Sequence, residues 1–364
     1  MSIVALNKWL PNLKRPLVVA GPCSAESEEQ MLQTAKELVQ IEDVRIFRAG
    51  IWKPRTRPGT FEGHGEKALQ WLEKVKNETK LLTATEVANA SHIELALKYN
   101  VDILWIGART TVNPFSVQEI ADSLRGTNIP VMIKNPINAD LALWLGAIER
   151  LEAVGLKKLV VIHRGFSTFE KTKYRNEPMW KIPIELKRRL PDMPMICDPS
   201  HITGRRDMIL EVAQKALDID MDGVMIETHP APELALSDAD QQVTPSALHQ
   251  IIKSLQLRTE FSSDRNFETE LETLRSKIDR IDQELIDILA NRMKVVQNIG
   301  ELKKKNDVTA FQVHRMDQML KAREEAAQKL GLSKKYIDEL FNIIHDESVR
   351  RQTTILNSFH EDPK

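Results

Sequence analysis

Residues 17–24, LVVAGPCS, and residues 223–229, GVMIETH, share one construction: an unbroken apolar run that ends on polar or reactive side chains. The same construction recurs at 44–47, 81–84, 103–106, 131–133, 159–162 and 195–197. Continuous apolar runs, rather than alternation, are what parallel strands covered on both faces require. Helical patterns follow several of them, at 30–39, 66–75, 139–153 and 208–217. Eight strand–helix units within about 240 residues predict an α/β fold, a (β/α)8 TIM barrel. An open doubly wound sheet is the alternative. It is disfavoured because the count reaches eight and no dinucleotide-type glycine fingerprint follows the first strand.

Around 258–269, RTEFSSDRNFET, the pattern breaks into polar sequence that reads as a linker. Beyond it the chain is helical. Leu271, Leu274, Ile278, Ile281, Leu285 and Ile288 alternate spacings of three and four, a coiled-coil-like stripe. Two further helices are expected at 312–330 and 334–356, separated by a Gly331–Ser333 stop and cap. The expected organisation is a barrel at 1–257, a linker at 258–269 and a separate all-α domain at 270–364. Three helices of unequal length close a core poorly, so a homodimer through the helical domain is expected.

The 364 residues carry a formal net charge of -1, so no excess of positive charge draws the chain to nucleic acid or to a membrane. Cys23 and Cys197 are the only cysteines, too few for a disulfide framework and suited to a reducing cytoplasm. The first residues have neither the apolar core nor the cleavage site of a signal peptide. A cytoplasmic enzyme is the expectation.

Barrel chemistry sits where strands end. There this sequence places Arg48, Lys53, Arg55, Arg109, Lys134 and Arg164, cations that would repel one another without anionic partners. Oligoanions, carboxylate or phosphate, are the natural occupants. Cys23, His201, Glu227 and Asp238, at the ends of strands 1, 7 and 8, form a mixed-donor set for a divalent metal ion. Manganese comes first, with iron, zinc or cobalt also acceptable. In the helical part, Arg292 falls where the stripe's next apolar seat should be, which implies a ligand or an acidic partner. Lys303 lies about 20° from it around the helix and Arg275 about 100° away, so Arg275 is expected to serve another site, in a second subunit. Ser348 and Gln352 share a face of the last helix.

The segments GPCS, FRAGIWKPRT, IGARTTVNPF, IKNP, CDPSH and IETHPAPELALSD closely resemble 3-deoxy-D-arabino-heptulosonate 7-phosphate (DAHP) synthases of the shikimate pathway, over about residues 17–257. The resemblance implies metal-dependent condensation of phosphoenolpyruvate with erythrose 4-phosphate, releasing phosphate. It implies Cys23, His201, Glu227 and Asp238 as metal ligands and Arg48, Lys53, Arg109, Lys134 and Arg164 as phosphoenolpyruvate contacts. Arg55 and Thr56 would hold the aldose phosphate, and Lys53 would act as a general acid. The segment HRGF departs from the family's more usual ERG at His163. Octulosonate 8-phosphate synthases are the nearest rival, but they carry a different segment where this chain has KPRT. A Schiff-base aldolase would need a lysine in an apolar setting, unlike Lys53 or Lys134.

The segments LETLRSKIDRIDQELIDILANRMKVVQNIGELKKK and YIDELFNIIHDESVRRQ resemble all-helical chorismate mutases. That resemblance implies rearrangement of chorismate to prephenate. Arg275, Arg292, Lys303, Gln312, Arg315, Ser348 and Gln352 would bind chorismate or prephenate, with Lys303 and Gln352 as the catalytic pair. The family's acidic residues near Arg315 are replaced by Gln312 and Met316. With about 15 residues ahead of strand 1, the fused domain is expected to serve as the allosteric sensor, prephenate being product and inhibitor. The alternative is a dimerising binding module with little mutase activity.

Overall fold

The structure, a computed structural model, describes residues 3–10, 13–53, 59–259 and 262–358; of 313–318 and 320 it describes the backbone only. Arg55 and Thr56, and the side chains of Arg315 and Met316, lie outside that description. The chain divides into two compact units, Met1–Glu260 and Phe261–Lys364.

In the first unit eight parallel strands close into a barrel in chain order. They are β1 (Leu17–Gly21), β2 (Val44–Arg48), β3 (Leu82–Val87), β4 (Ile103–Ile106), β5 (Val131–Lys134), β6 (Leu159–His163), β7 (Met195–Cys197) and β8 (Gly223–Glu227). The barrel closes through β1 and β8, where Leu17 pairs with Gly223 and Gly21 with Glu227. That register brings Cys23 and Glu227 to one rim. The main helices between strands are α1 (Glu28–Leu38), α2 (Glu66–Thr79), α3 (Ala90–Lys98), α4 (Pro114–Ser123), α5 (Leu141–Ala153), α6 (Lys181–Arg189), α7 (Ile209–Asp218) and α8 (Pro245–Ser254).

Two apolar layers hold the barrel. One lies between strands and helices and includes Val18, Phe47, Leu104, Trp144 and Val224. The other fills the interior with Leu17, Val19, Ile46, Trp105, Met132, Val160, Ile162 and Met225. Leu6 and Leu10, beside a short helical turn at Leu6–Trp9, join this inner layer. The inner residues of successive strands stack as packed layers, so the barrel is a core and its chemistry is confined to the rim. Strand ends are shaped for that rim. Gly21 has φ +146°, and a Cβ there would meet the Arg48 carbonyl oxygen at 2.0 Å. Only glycine lets β1 pass β2 so closely and turn Cys23 inward. After β7, Asp198 caps the turn Pro199–Thr203 by accepting the His201 N–H at 3.1 Å, with Pro199 at the first helical position. CDPSH is therefore a strand end, a cap and a histidine held in one turn.

The second unit has three helices, α9 (Arg265–Lys305), α10 (Val313–Lys329) and α11 (Lys334–Asn357). Helix α9 starts within the stretch read from sequence as linker, because Asp264 accepts the N–H groups of Asn266 and Phe267. Its buried positions are Met293, Val296 and Gly300. A Cβ at Gly300 would meet Ile355 Cδ1 at 2.9 Å, so glycine sets how closely α9 approaches α11. The stripe read from sequence lies mostly outside this contact: Leu274, Ile278, Ile281, Leu285 and Ile288 are exposed. No helix among the described residues is long and apolar enough to cross a membrane.

Candidate active site

The rim cavity has a volume of about 420 Å³, within the range of small-molecule sites. Lys53, Arg109, Lys134, Arg164, His201 and Asp238 all line it. Cys23 Sγ meets two of these lining side chains, 3.0 Å from Lys53 Nζ and 3.4 Å from Asp238 Oδ2. The Cys23 Sγ and the carboxylate oxygens of Glu227 and Asp238 all fall within 4.8 Å of one another. His201 stands beside them, its Nε2 3.7 Å from Glu227 Oε1 and its Nδ1 2.8 Å from Asp198 Oδ2. An imidazole whose Nδ1 faces a carboxylate is held with Nε2 toward the cluster, as in histidine ligands of metals.

Four of the rim cations, Arg48, Lys53, Lys134 and Arg164, have hydrogen-bond partners of their own, which offsets part of the repulsion expected from sequence. Arg48 Nη1 donates to Glu227 Oε1 at 2.8 Å and to the Pro22 carbonyl at 3.2 Å, and its guanidinium lies 4.7 Å from the Trp105 ring centroid. Arg48 is therefore buried below the mouth rather than exposed in it. Lys53 Nζ donates to the Cys23 carbonyl at 2.9 Å and to its Sγ at 3.0 Å. Lys134 Nζ donates to Asp198 Oδ2 at 2.8 Å, and Arg164 Nη1 to Asn176 Oδ1 at 2.7 Å.

The electrostatics suit two kinds of ligand. Burial, with Glu227 adding to it, pushes the Cys23 thiol up to about 12. A thiol crowded by two carboxylates ionises readily only beside a further cation, and thiolate, carboxylate and imidazole suit a divalent transition metal. For Glu227, burial would raise the pKa, but His201, Arg48 and Lys53 outweigh it and hold it at about 2. At the other end of the cavity, burial lowers Arg164 to about 10, with Arg175 and Arg109 adding to the effect against Asp198. A guanidinium short of negative charge in a partly closed cavity is a site for an anion.

Several contributors carry little or no signal in the sequence. Glu86 at the end of β3 lines the cavity and accepts from Trp105 Nε1 at 3.0 Å. A lone carboxylate inside the run TATEV was its only signal. Arg175 and Asn176 come from the long β6–α6 loop, which has no periodicity to read. In the helical unit, Arg292 Nη1 donates to Ser348 Oγ at 2.6 Å, and Gln352 is buried one turn further along α11. Lys303 Nζ donates to the Ala310 carbonyl at 2.7 Å. Arg275 is exposed, 3.7 Å from Glu272, and Gln312 is exposed ahead of α10.

A thiol, two carboxylates and a cation-lined cavity on one barrel rim find their counterpart in sequence: residues 12–262 match the DAHP synthetase I family. The chain belongs to that family. Residues 274–353 match chorismate mutase type II, so a DAHP synthase domain is fused to a chorismate mutase domain and the chain is an enzyme of both classes. A phospho-2-dehydro-3-deoxyheptonate aldolase from Thermotoga maritima is 32% identical over 238 residues, 65% of this chain and 68% of that protein. A 2-dehydro-3-deoxyphosphooctonate aldolase from Legionella pneumophila is 29% identical over 268 residues, 68% and 93% of the two chains. Among solved structures, a DAHP synthase from Thermotoga maritima superposes with a TM-score of 0.60 at 28% identity, covering 69% of this chain and 75% of that one. A truncated form of the Thermotoga maritima synthase gives 0.59 at 26% identity, covering 69% and 90%.

One feature of this DAHP synthase domain has a measurable consequence for stability. His163, fully buried at the end of β6, packs 5.1 Å from the Trp180 ring and 5.8 Å from Phe166. Burial, then Arg164, lowers its pKa from 6.5 to about 3. The unfolded chain therefore takes up a proton below pH 6.5 that the folded chain refuses until about pH 3, and stability is lost across that window. At pH 4 the loss is about 3 kcal/mol at 1.36 kcal/mol per unit. His163→Phe is expected to shrink the stability difference between pH 7 and pH 4 by that amount in urea denaturation; an unchanged difference would refute the assignment.

Proposed function

We propose that the barrel condenses phosphoenolpyruvate with erythrose 4-phosphate to DAHP and phosphate, and that the helical domain converts chorismate to prephenate. The observation that carries the first reading is the meeting of the Cys23–Glu227–Asp238 cluster and the cations Lys53, Arg109, Lys134 and Arg164 at one cavity. Cys23, His201, Glu227 and Asp238 would hold a divalent cation, manganese first, with iron, zinc or cobalt fitting the same donors. Such a cation supplies Lewis-acid polarisation of the aldehyde. Lys134 and Arg164, with Arg109 at the mouth, bind the carboxylate and phosphate of the enol phosphate and hold its C3 facing the aldehyde carbon. Arg48 acts from beneath, fixing Glu227. As the C3–C1 bond forms, positive charge at C2 is captured by water, and the C2–O bond to phosphate then breaks. Lys53 Nζ, which already faces the cluster, gives a proton to the former aldehyde oxygen. Arg55 and Thr56 are assigned to the aldose phosphate.

Metal-depleted enzyme should consume phosphoenolpyruvate with erythrose 4-phosphate only after manganese is restored, and Cys23→Ala should remain inactive at any manganese concentration. Full activity of Cys23→Ala would sink the metal reading. Preference for arabinose 5-phosphate would instead make the barrel an octulosonate synthase.

For the helical domain, the joined Arg292–Ser348 pair and the buried Gln352 support a pocket for the dicarboxylate chorismate. Lys303 and Gln352 would stabilise charge growing on the ether oxygen, with Arg315 and Gln312 completing the pocket. The exposed stripe of α9 and the distance of Arg275 from this pocket along the same helix support a homodimer in which Arg275 serves the second copy's site. We further propose that prephenate bound here inhibits the barrel. The absence of acids at Gln312 and Met316 favours one other reading, a binding module with little turnover; chorismate that binds without loss of its absorbance would establish it.

A further inference from the structure

Behind the two carboxylates lie two buried glutamines and an exposed arginine that the chemistry above leaves unused. Gln241, 1% exposed, is held at both ends of its amide. Arg175 Nη1 donates to Gln241 Oε1 at 2.6 Å, and Gln241 Nε2 donates to Glu227 Oε2 at 2.6 Å. The same Arg175 nitrogen donates to Asp238 Oδ1 at 3.0 Å, while Asp238 Oδ2 faces Cys23 Sγ at 3.4 Å. The next residue, Gln242, is fully buried; it accepts the Cys23 backbone N–H at 2.9 Å and donates to the Ser237 carbonyl at 2.9 Å.

The chemistry of these groups leaves one arrangement. A guanidinium has donors only, so it must meet the oxygen end of the Gln241 amide, and this turns the nitrogen end toward Glu227. A flipped amide would set N–H against N–H and, at the fully buried Glu227, oxygen against carboxylate. Arg175 therefore fixes Gln241, and Gln241 fixes Glu227. Arg175 also occupies one oxygen of Asp238 and leaves the other toward Cys23. Gln242 ties the Cys23 backbone to the segment that ends in Asp238.

We propose that Arg175, Gln241 and Gln242 are the positioning residues of the divalent-cation site, aligning three of its donors before the ion arrives. The proposal rests on the reading that Cys23, Glu227 and Asp238 hold that ion. Partners behind metal ligands are worth about 10- to 100-fold in affinity. For Arg175 the sign of the effect is diagnostic. Removing a cation next to Asp238 would tighten binding of a dication if charge alone mattered. If alignment matters, binding weakens although a positive charge has gone.

The test is titration of metal-free full-length protein with manganese, followed by calorimetry and by the electron paramagnetic resonance of the free ion. Gln241→Leu is expected to weaken binding about 10- to 100-fold. Arg175→Leu is expected to weaken it at least about threefold, and the double variant to fall short of the product of the two effects, since Arg175 acts partly through Gln241 and partly on Asp238 directly. Should Gln241→Leu lose its near-ultraviolet circular dichroism, Gln241→Met, unbranched and of similar length, replaces it. Wild-type affinity in the Gln241 variant, or tighter binding by Arg175→Leu, overturns the proposal. A Glu227→Gln control separates the two levels: if it binds manganese as well as the wild type, the ligand assignment itself fails.

Discussion

Arg48→Met is expected to lower the barrel's unfolding free energy by about 3–5 kcal/mol and to abolish DAHP synthase turnover. Arg48 is 1% exposed and Glu227 is fully buried, with 2.8 Å between Nη1 and Oε1. Methionine fills much of the volume but leaves the carboxylate buried without its nearest cation, the costly half of breaking such a pair. Gln241 and His201 stay in place and set the lower end of the range. The pH dependence has a definite sign. The pKa of Glu227 is held at about 2, below its ordinary 4.5, so its contribution is present above pH 4.5 and fades as pH falls toward 2. The gap between wild type and Arg48→Met should accordingly narrow in acid. Urea denaturation at pH 7 and pH 4 measures both. Arg48→Met, Glu227→Gln together should recover part of the stability and none of the activity. A single variant within about 1 kcal/mol of wild type would contradict the reading of Arg48 as the principal partner of Glu227.

The barrel was legible because its signal is long-range and redundant: eight apolar runs, each buried on both faces, leave little choice of fold. Strand-end residues such as Cys23, Lys134, His201 and Glu227 were legible for a related reason, since the place where a run stops marks the rim. What a run cannot tell is depth. Arg48 and Lys53 follow the same strand, yet Arg48 turns inward to a carboxylate across the closure of the barrel while Lys53 reaches the cavity. That difference depends on Glu227 being paired two strands away through β1, which spacing alone does not encode. Arg175, Gln241 and Gln242 were illegible for another reason. They lie in loops, where no periodicity marks a direction, and their meaning comes only from meeting Asp238, Glu227 and Cys23 in space. In the helical unit the stripe from Leu271 to Ile288 shows that α9 is amphipathic without showing what covers it. The positions that are buried are instead Met293, Val296 and Gly300, and Gly300 lies against Ile355 and Gln352 of α11.

Arg292→Leu is expected to reduce chorismate turnover by about 100- to 1,000-fold while leaving the uninhibited DAHP synthase rate unchanged. Arg292 donates to Ser348 Oγ at 2.6 Å, and Ser348 in turn donates to the Ile344 carbonyl at 2.7 Å, so the guanidinium is anchored to the wall of the second unit. One helical turn along, Gln352 Oε1 is buried with no hydrogen-bond partner among the described residues. Burial lowers the pKa of both Arg292 and Lys303, the mark of cations with too little negative charge around them. A dicarboxylate would satisfy what the folded chain leaves unpaired. Leucine removes the charge and the Ser348 bond together and leaves the buried Met293 and Val296 and the Gly300 approach to α11 intact, so secondary structure should be retained. Loss of chorismate absorbance gives the mutase rate. A change smaller than threefold would remove Arg292 from the pocket. The same protein then tests regulation without any truncation: if prephenate acts through this pocket, its inhibition of phosphoenolpyruvate consumption should vanish in Arg292→Leu. Inhibition that persists at wild-type strength would put the effector's site elsewhere in the chain.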